Sequence, residues 1–234
     1  MSLFTLTAAE AEAVRLSLWV AAWAVVAGLP PGVLIAWLLA RGRFPGKSLL
    51  DGLVHLPLVL PPVVIGYALL VLMGKRGVLG SFLYENFGIV FAFDWKGAAL
   101  ASAVMAFPLL VRAVRLSIEN VDQGLETAAR TLGAGPMRVF FTVTLPLILP
   151  GVLSGAVLSF ARSLGEFGAT ITFVSNIPGQ TRTLPLALYT LSQVPGGDAG
   201  ALRLCVLAVV IALVALVFSE VLSRRLRAAR GGDA

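Results

Sequence analysis

The chain has 234 residues, of which 58% are hydrophobic and 13% are charged, and its mean hydropathy is +0.93. An ordinary soluble domain carries about a quarter charged residues, so this composition excludes a soluble globular domain. It also excludes a disordered chain, which needs low hydrophobicity. The net charge of +6 does not indicate nucleic-acid binding, because the basic residues lie between apolar runs and are not interleaved with aromatic residues. We predict one membrane domain over residues 1–234, in contact with the lipid bilayer.

Five stretches with few or no charges are long enough to cross a bilayer, which takes about 20 apolar residues in a helix. They are residues 16–40, 52–74, 97–116, 146–173 and 204–219. A sixth uncharged stretch, 183–194, is too short to cross and predicts an interfacial or re-entrant helix.

The basic residues predict which way these spans run. If five spans alternate, one side of the membrane receives Arg41, Arg43, Lys47, Arg112, Arg115, Arg130, Arg138, Arg224, Arg225, Arg227 and Arg230. The other side receives fewer basic residues, diluted by acidic ones. Because cytoplasmic loops carry the excess of Lys and Arg, we predict that the N-terminus lies outside and the C-terminus lies in the cytoplasm.

Proline pairs interrupt the first two predicted spans, at Pro30-Pro31 and Pro61-Pro62. Proline removes a helical hydrogen bond and kinks or breaks the helix. Such breaks are tolerated where neighbouring helices or a water-filled cavity satisfy the freed carbonyls. Proline is also simply commoner in membrane helices than in soluble ones. Two consecutive interrupted spans favour a transporter over a passive anchor.

The segment 119–145, between the third and fourth spans, predicts a helix, a glycine turn and a second helix on the cytoplasmic face. Asp122 is a predicted N-cap, Gly133 a predicted left-handed C-terminal turn, and Pro136 the predicted start of the second helix. The first helix has an apolar stripe at helical spacing, made of Leu125, Ala128, Ala129 and Leu132. Such a helix either rests in the lipid interface or docks on a partner.

The spacing of this segment resembles a known loop. Ala128-Ala129, three residues, Gly133, nine residues, Val143, one residue and Leu145-Pro146 resemble the Glu-Ala-Ala loop of permease subunits of binding-protein-dependent ABC importers. Thr127 stands at the Glu position of that pattern. The resemblance implies an all-α type I importer permease fold with five spans, whose loop is a coupling helix that docks on a cytoplasmic ATPase subunit. It implies ATPase contacts for Glu126, Thr127, Ala128, Ala129, Arg130, Leu132, Gly133, Ala134 and Arg138.

Residues 129–147, 160–170 and 175–183 are similar to the molybdate branch of that family, more closely than to the sulfate branch. This resemblance implies a multi-pass permease of the bacterial cytoplasmic membrane that moves molybdate, and possibly tungstate. The implied partners are a second copy of the chain, two ATPase subunits that hold ATP and Mg, and an external oxyanion-binding protein. A sulfate or thiosulfate permease is the alternative, and an intramembrane enzyme is a more distant one.

The chain lacks the motifs of an enzyme. It has no P-loop and no His-Glu-x-x-His motif, and His55 and Cys205 are its single histidine and cysteine. We therefore predict that the chain by itself has no catalytic residues, no metal site and no bound cofactor.

Two features of the fourth predicted span are candidates for the translocation pathway. Arg162 and Glu166 are opposite charges four residues apart, and an ionisable residue inside a span indicates a functional site. They either attract an oxyanion, brace a gate or form a local pair at the membrane interface. Ser159 and Ser163 continue a stripe of small residues that either lines the pathway or the dimer contact, or allows close helix packing.

Overall fold

The computed structural model describes residues 6–228, without the side chains of residues 219, 220, 222–224 and 226–228. Among the predicted cytoplasmic basic residues, Arg230 and the side chains of Arg224 and Arg227 lie outside this description. The described part is all-α, with short loops and one π-helical turn at Phe140–Thr144. The helices are α1 (Ala8–Arg41), α2 (Lys47–Val59), α3 (Pro62–Met73), α4 (Val78–Phe87), α5 (Trp95–Glu119), α6 (Gln123–Thr131), α7 (Pro136–Val139), α8 (Leu145–Leu164), α9 (Gly168–Val174), α10 (Leu184–Ser192) and α11 (Asp198–Ala228).

The prediction of a multi-span all-α membrane domain is confirmed. Four described helical stretches are long and apolar enough to cross a membrane: α1, α5, Pro136–Leu164 and Asp198–Phe218. A fifth candidate combines α2 and α3, which are bent by 114° relative to each other. The predicted short helix near residue 184 is α10, which is 9 residues long.

The second predicted span is a broken helix and not a kinked rod. Leu60 and Pro61 are both extended, with ψ of 144° and 135°. Each of them precedes a proline, whose ring disfavours the helical conformation of the residue before it. By contrast, Pro30 and Pro31 both remain inside the continuous 34-residue helix α1, so the first proline pair does not end its helix.

The predicted start of the fourth span at residue 146 agrees with α8, which begins at Leu145, but its predicted end is wrong. The helical stretch already begins at Pro136, passes through the π-helical turn and continues as α8. It ends at Leu164 rather than Phe173, because the chain turns at Gly165 and starts the separate helix α9 at Gly168.

Helix α5 is the centre of the domain. It packs against α1, α8, α9 and α2, and 61% of an 18-residue apolar stretch of this helix is buried. Small residues allow this close packing: a Cβ added at Gly155 would lie 3.1 Å from the Ala113 Cβ. Helix α11 is peripheral, since only 6% of an 18-residue apolar stretch within Asp198–Phe218 is buried. Most of its apolar surface therefore faces away from the rest of the chain.

Candidate functional site

Helix α6 and the turn after it have the local structure that the sequence predicts. The Asp122 carboxylate accepts a hydrogen bond from the Gly124 amide at 2.8 Å and so caps the start of α6. Gly133 has φ of +85°, a conformation that strains any residue with a Cβ. Pro136 is the first residue of α7.

The apolar stripe of α6 faces outward from the chain. Leu125 is 49% exposed and Leu132 is 89% exposed, and Ala128 is also exposed. The turn at Gly133 and the first turn of α7 continue this surface, since Met137 is 71% exposed and Arg138 is exposed. We call Leu125, Ala128, Leu132, Gly133, Met137 and Arg138 the outer coupling surface. An amphipathic helix ordinarily buries its apolar side, so the outward orientation leaves an apolar surface that the rest of the chain does not cover.

The opposite side of α6 is held to the membrane helices by Glu126, which is only 6% exposed. The Thr144 hydroxyl donates to Glu126 Oε1 at 2.8 Å. Arg41 Nη2 lies 3.5 Å from the same oxygen and also donates to the Val121 carbonyl at 3.2 Å. Glu126 therefore joins α6 to the end of α1 and to the start of α8. We call Glu126, Arg41 and Thr144 the loop brace.

The nine predicted ATPase contacts differ in their accessibility. Thr127, Ala128, Arg130, Leu132, Gly133 and Arg138 are exposed, Ala129 and Ala134 are half-buried, and Glu126 is buried. Arg41 and Thr144 were not predicted as site residues. Arg41 was visible only as one of several basic residues near the membrane surface, and Thr144 carried no signal. Contact of any of these residues with an ATPase stays a prediction.

The break between α8 and α9 contains the ion pair of Arg162 and Glu166. Arg162 Nη1 lies 2.8 Å from Glu166 Oε2, and the two side chains are 29% and 1% exposed. The other carboxylate oxygen accepts a hydrogen bond from the Ala169 amide at 2.8 Å. Glu166 thus lies beyond the end of α8 and satisfies an amide donor of the first turn of α9, where a negative charge is favourable.

This break packs directly against the break in the second span. A Cβ added at Gly168 would lie 2.8 Å from the Pro62 Cβ, and one added at Gly66 would lie 2.6 Å from the Ala169 carbonyl oxygen. The starts of α3 and α9 are therefore in close backbone contact, and the Arg162–Glu166 pair is part of that junction.

Ser159 and Ser163 lie inside the subunit, with 2% and 4% of their surface exposed. They are on the face of α8 that packs on α5, where the Ser163 hydroxyl is 3.5 Å from the Ser102 carbonyl oxygen. This position favours the helix-packing interpretation of the small-residue stripe. A role of these serines in the pathway stays a prediction.

Among the residues that the structure describes, no three His, Cys, Asp or Glu side chains are grouped as metal ligands.

Comparison with known proteins places the chain in a family. The sequence family described as "Binding-protein-dependent transport system inner membrane component" matches residues 32–228. The chain belongs to this family. It is thus a multi-pass membrane subunit of a transport system, an importer permease that is not an enzyme by itself.

Similar relatives and structures agree with this assignment. The molybdenum transport system permease protein ModB of Escherichia coli K12 is 64% identical over 219 residues, 94% of this chain and 96% of that protein. ModB of Haemophilus influenzae is 61% identical, over 93% of this chain and 95% of that protein. The crystal structure of a bacterial ABC transporter that imports the acidic polysaccharide alginate matches with a TM-score of 0.73 and 18% identity, covering 94% of this chain and 80% of that chain. This fold likeness confirms the type I importer permease fold.

Proposed function

We propose that the protein is the permease subunit of an ATP-driven importer of molybdate. The 64% identity to a molybdenum permease over 94% of the chain supports this cargo. A sulfate permease, CysT of Salmonella typhimurium, is 42% identical over only 69% of the chain and 58% of that protein. Tungstate is a tetrahedral dianion like molybdate and is proposed as a second cargo. Sulfate or thiosulfate is the alternative that the experiment below separates.

The outer coupling surface is proposed to dock on an ATPase subunit that holds ATP and Mg. Leu125 and Leu132 expose apolar side chains that a partner would remove from water, at about 25 cal/mol per Å² of apolar surface. Ala128 and Gly133 are small enough to let the partner approach the backbone closely. The loop brace fixes the other side of α6, so a push on the outer coupling surface is expected to move the membrane helices rather than melt the loop.

The pathway is proposed to form between two copies of the chain, each with its own ATPase subunit. The exposed side of the broken second span supports a contact with another protein. Val59 is 81% exposed and Tyr67 is 62% exposed, on either side of a break that leaves backbone groups without helical partners. Irregular backbone at membrane depth is tolerated only where protein or a water-filled cavity covers it.

We propose that Arg162 and Glu166 brace a gate and do not hold the oxyanion. The guanidinium is already paired with the carboxylate at 2.8 Å, so its charge is neutralised, and the carboxylate would repel an anion. The pair instead fixes the start of α9 against α3. A path that must release its cargo also gains nothing from a tight anion site.

The charges support the orientation that we propose. Arg41, Arg43, Lys47 and Arg130 line one cavity beside the coupling segment, which by the positive-inside rule marks the cytoplasmic side. We propose the bacterial cytoplasmic membrane, with an external oxyanion-binding protein docking on the opposite side. The candidate docking segments there are residues 75–96 and 177–199.

The test measures cellular molybdenum in a strain deleted for this gene and grown on trace molybdate, with and without excess sulfate. We expect molybdenum to fall, to recover with the wild-type gene, and to be insensitive to moderate sulfate. Unchanged molybdenum together with impaired sulfur supply would overturn the molybdate assignment and favour sulfate. A variant with the same membrane level but a blocked coupling surface, Gly133→Trp, is the matched control for complementation.

A further inference from the structure

A basic cavity lies between the end of α1 and the coupling segment. Its volume is about 490 Å³. The last turn of α1, the loop after it, one side of α6 and the start of the fourth span line this cavity. Four lining residues are cationic, and one is acidic: Arg41, Arg43, Lys47 and Arg130, and Glu126. The lining therefore carries a formal excess of three positive charges.

The single carboxylate leaves these cations able to attract a further anion. Glu126 is committed to the loop brace, and Arg130 Nη2 is 3.8 Å from its second oxygen. The Arg41 Nε is buried and has no hydrogen-bond partner. Lys47 Nζ donates to the Gly42 carbonyl at 3.2 Å, an acceptor without a full negative charge.

The cavity also has an apolar wall. Trp37, one turn before the end of α1, and Ala40, Val139 and Phe140 form this wall. Tryptophan is enriched at the level of the lipid headgroups, so the cavity opens where headgroups are expected. Basic pockets between membrane helices on the cytoplasmic side bind anionic headgroups. We propose that this cavity binds the phosphate of an anionic phospholipid, whose acyl chains lie along α1 beside Trp37.

This lipid site is separate from the outer coupling surface. Gln123, Glu126 and Arg130 line the cavity and recur at i, i+3 and i+7, which places them on one side of α6. Leu125 and Leu132 lie on another side and are exposed. A bound lipid and a docked ATPase can therefore be present together. The lipid would hold the side of α6 that carries Gln123, Glu126 and Arg130, whichever oxyanion is transported. This inference therefore does not depend on the cargo.

The test is native mass spectrometry of the purified full-length chain in detergent, titrated with phosphatidylglycerol, zwitterionic phosphatidylcholine, inorganic phosphate or molybdate. Co-purification of an ATPase with each variant is scored before the chain is isolated. The test variant is Arg43→Gln combined with Lys47→Gln, which spares the half-buried Arg41. The control is Arg112→Gln, which removes an exposed cation of α5 that does not line the cavity. Each basic residue near an anionic lipid contributes a factor of about five. We expect the double variant to bind phosphatidylglycerol about thirtyfold more weakly, and the control to bind it like the wild type.

Three outcomes would overturn the lipid assignment. The first is equal phosphatidylglycerol binding by the double variant and the Arg112 control. The second is binding of inorganic phosphate or molybdate in place of the lipid, which would identify a free oxyanion as the ligand. The third is unchanged lipid binding with loss of a co-purifying ATPase, which would assign the cavity to an acidic side chain of that partner. If the double variant does not fold, Arg43→Gln alone, at an exposed position, should weaken binding about fivefold.

Discussion

Removing the Glu126 carboxylate tests how the coupling segment is held. Glu126→Ala leaves the Arg41 guanidinium, whose side chain is 15% exposed, without its carboxylate, and leaves the Thr144 hydroxyl without its acceptor. Removing one partner of a buried ion pair costs about 3–5 kcal/mol. Arg41 keeps its hydrogen bond to the Val121 carbonyl, so we expect a loss near the lower limit, about 3 kcal/mol. Because about 1.4 kcal/mol is a factor of ten, α6 should separate from the membrane helices roughly a hundredfold more often.

The assay is hydrogen exchange of the α6 amides in the purified protein, where we expect exchange to become roughly a hundredfold faster in Glu126→Ala. The matched control is Arg130→Gln, which removes the other cation near Glu126. That pair is longer, 3.8 Å, and the Arg130 side chain is 58% exposed, so its loss should cost under about 1 kcal/mol. The double variant Arg41→Ala with Glu126→Ala leaves no unpaired buried charge and should recover part of the protection.

Wild-type exchange in Glu126→Ala would refute this reasoning. It would mean that the short contacts of Glu126 do not restrain α6. Equal effects of Glu126→Ala and Arg130→Gln would also contradict it, because burial would then not decide which pair matters.

Three further predictions concern the outer coupling surface and the junction of the two breaks. Gly133→Trp should abolish uptake while the subunit still inserts. Nothing described in the chain lies within 4 Å of a Cβ added at Gly133, so the indole ring obstructs only a docked partner. Uptake and the membrane level of the subunit are measured together. Gly66→Val should lower the melting temperature of the purified subunit, because a Cβ there meets the Ala169 backbone at 2.6 Å. Arg162→Ala should reduce uptake without loss of the ATPase partner, because Glu166 is left buried and unpaired.

The two glycine substitutions each have a matched control. Gly133→Ala keeps the left-handed strain, about 1–2 kcal/mol, without the bulk, so it should retain much of the uptake; equal loss in both variants would contradict the docking argument. Gly52→Val adds the same side chain as Gly66→Val at a helical position with open space and should be far milder. Unchanged uptake by Arg162→Ala would show that the pair is a local contact without a role in transport.

The limits of α6 and the start of α7 could be predicted because they depend on local chemistry. A carboxylate at Asp122, a left-handed residue at Gly133 and a proline at Pro136 each act within a few residues of the chain. The direction of the apolar stripe could not be predicted in the same way. Helical periodicity shows that a stripe exists, but only the tertiary contacts of Glu126 show that Leu125 and Leu132 face outward.

The breaks in the second and fourth spans were harder to predict. Average hydropathy does not record where the chain changes direction. Each of the segments 52–74 and 146–173 was therefore predicted as one apolar span, although the chain turns within both. Leu60 and Pro61 gave a usable signal, because two successive residues that precede prolines disfavour helix. At Gly165 the signal was weaker. The four-residue spacing of Arg162 and Glu166 predicted a pair on one helical side, and the structure has the pair, but Glu166 makes it from beyond the helix end.

Helix α8 connects the loop brace to the Arg162–Glu166 pair. Its first residue follows Thr144, a member of the loop brace, and its last turn contains Arg162, which pairs with Glu166 at the start of α9. The helix has 20 residues, about 30 Å at 1.5 Å per residue, which is the thickness of the hydrocarbon core. A helix of this length resists compression, because shortening it would break backbone hydrogen bonds. We therefore expect a displacement of the outer coupling surface to reach the junction of α3 and α9 through α8. Glu126→Ala should weaken the movement of Arg162 that such a displacement causes, although Glu126 does not contact Arg162.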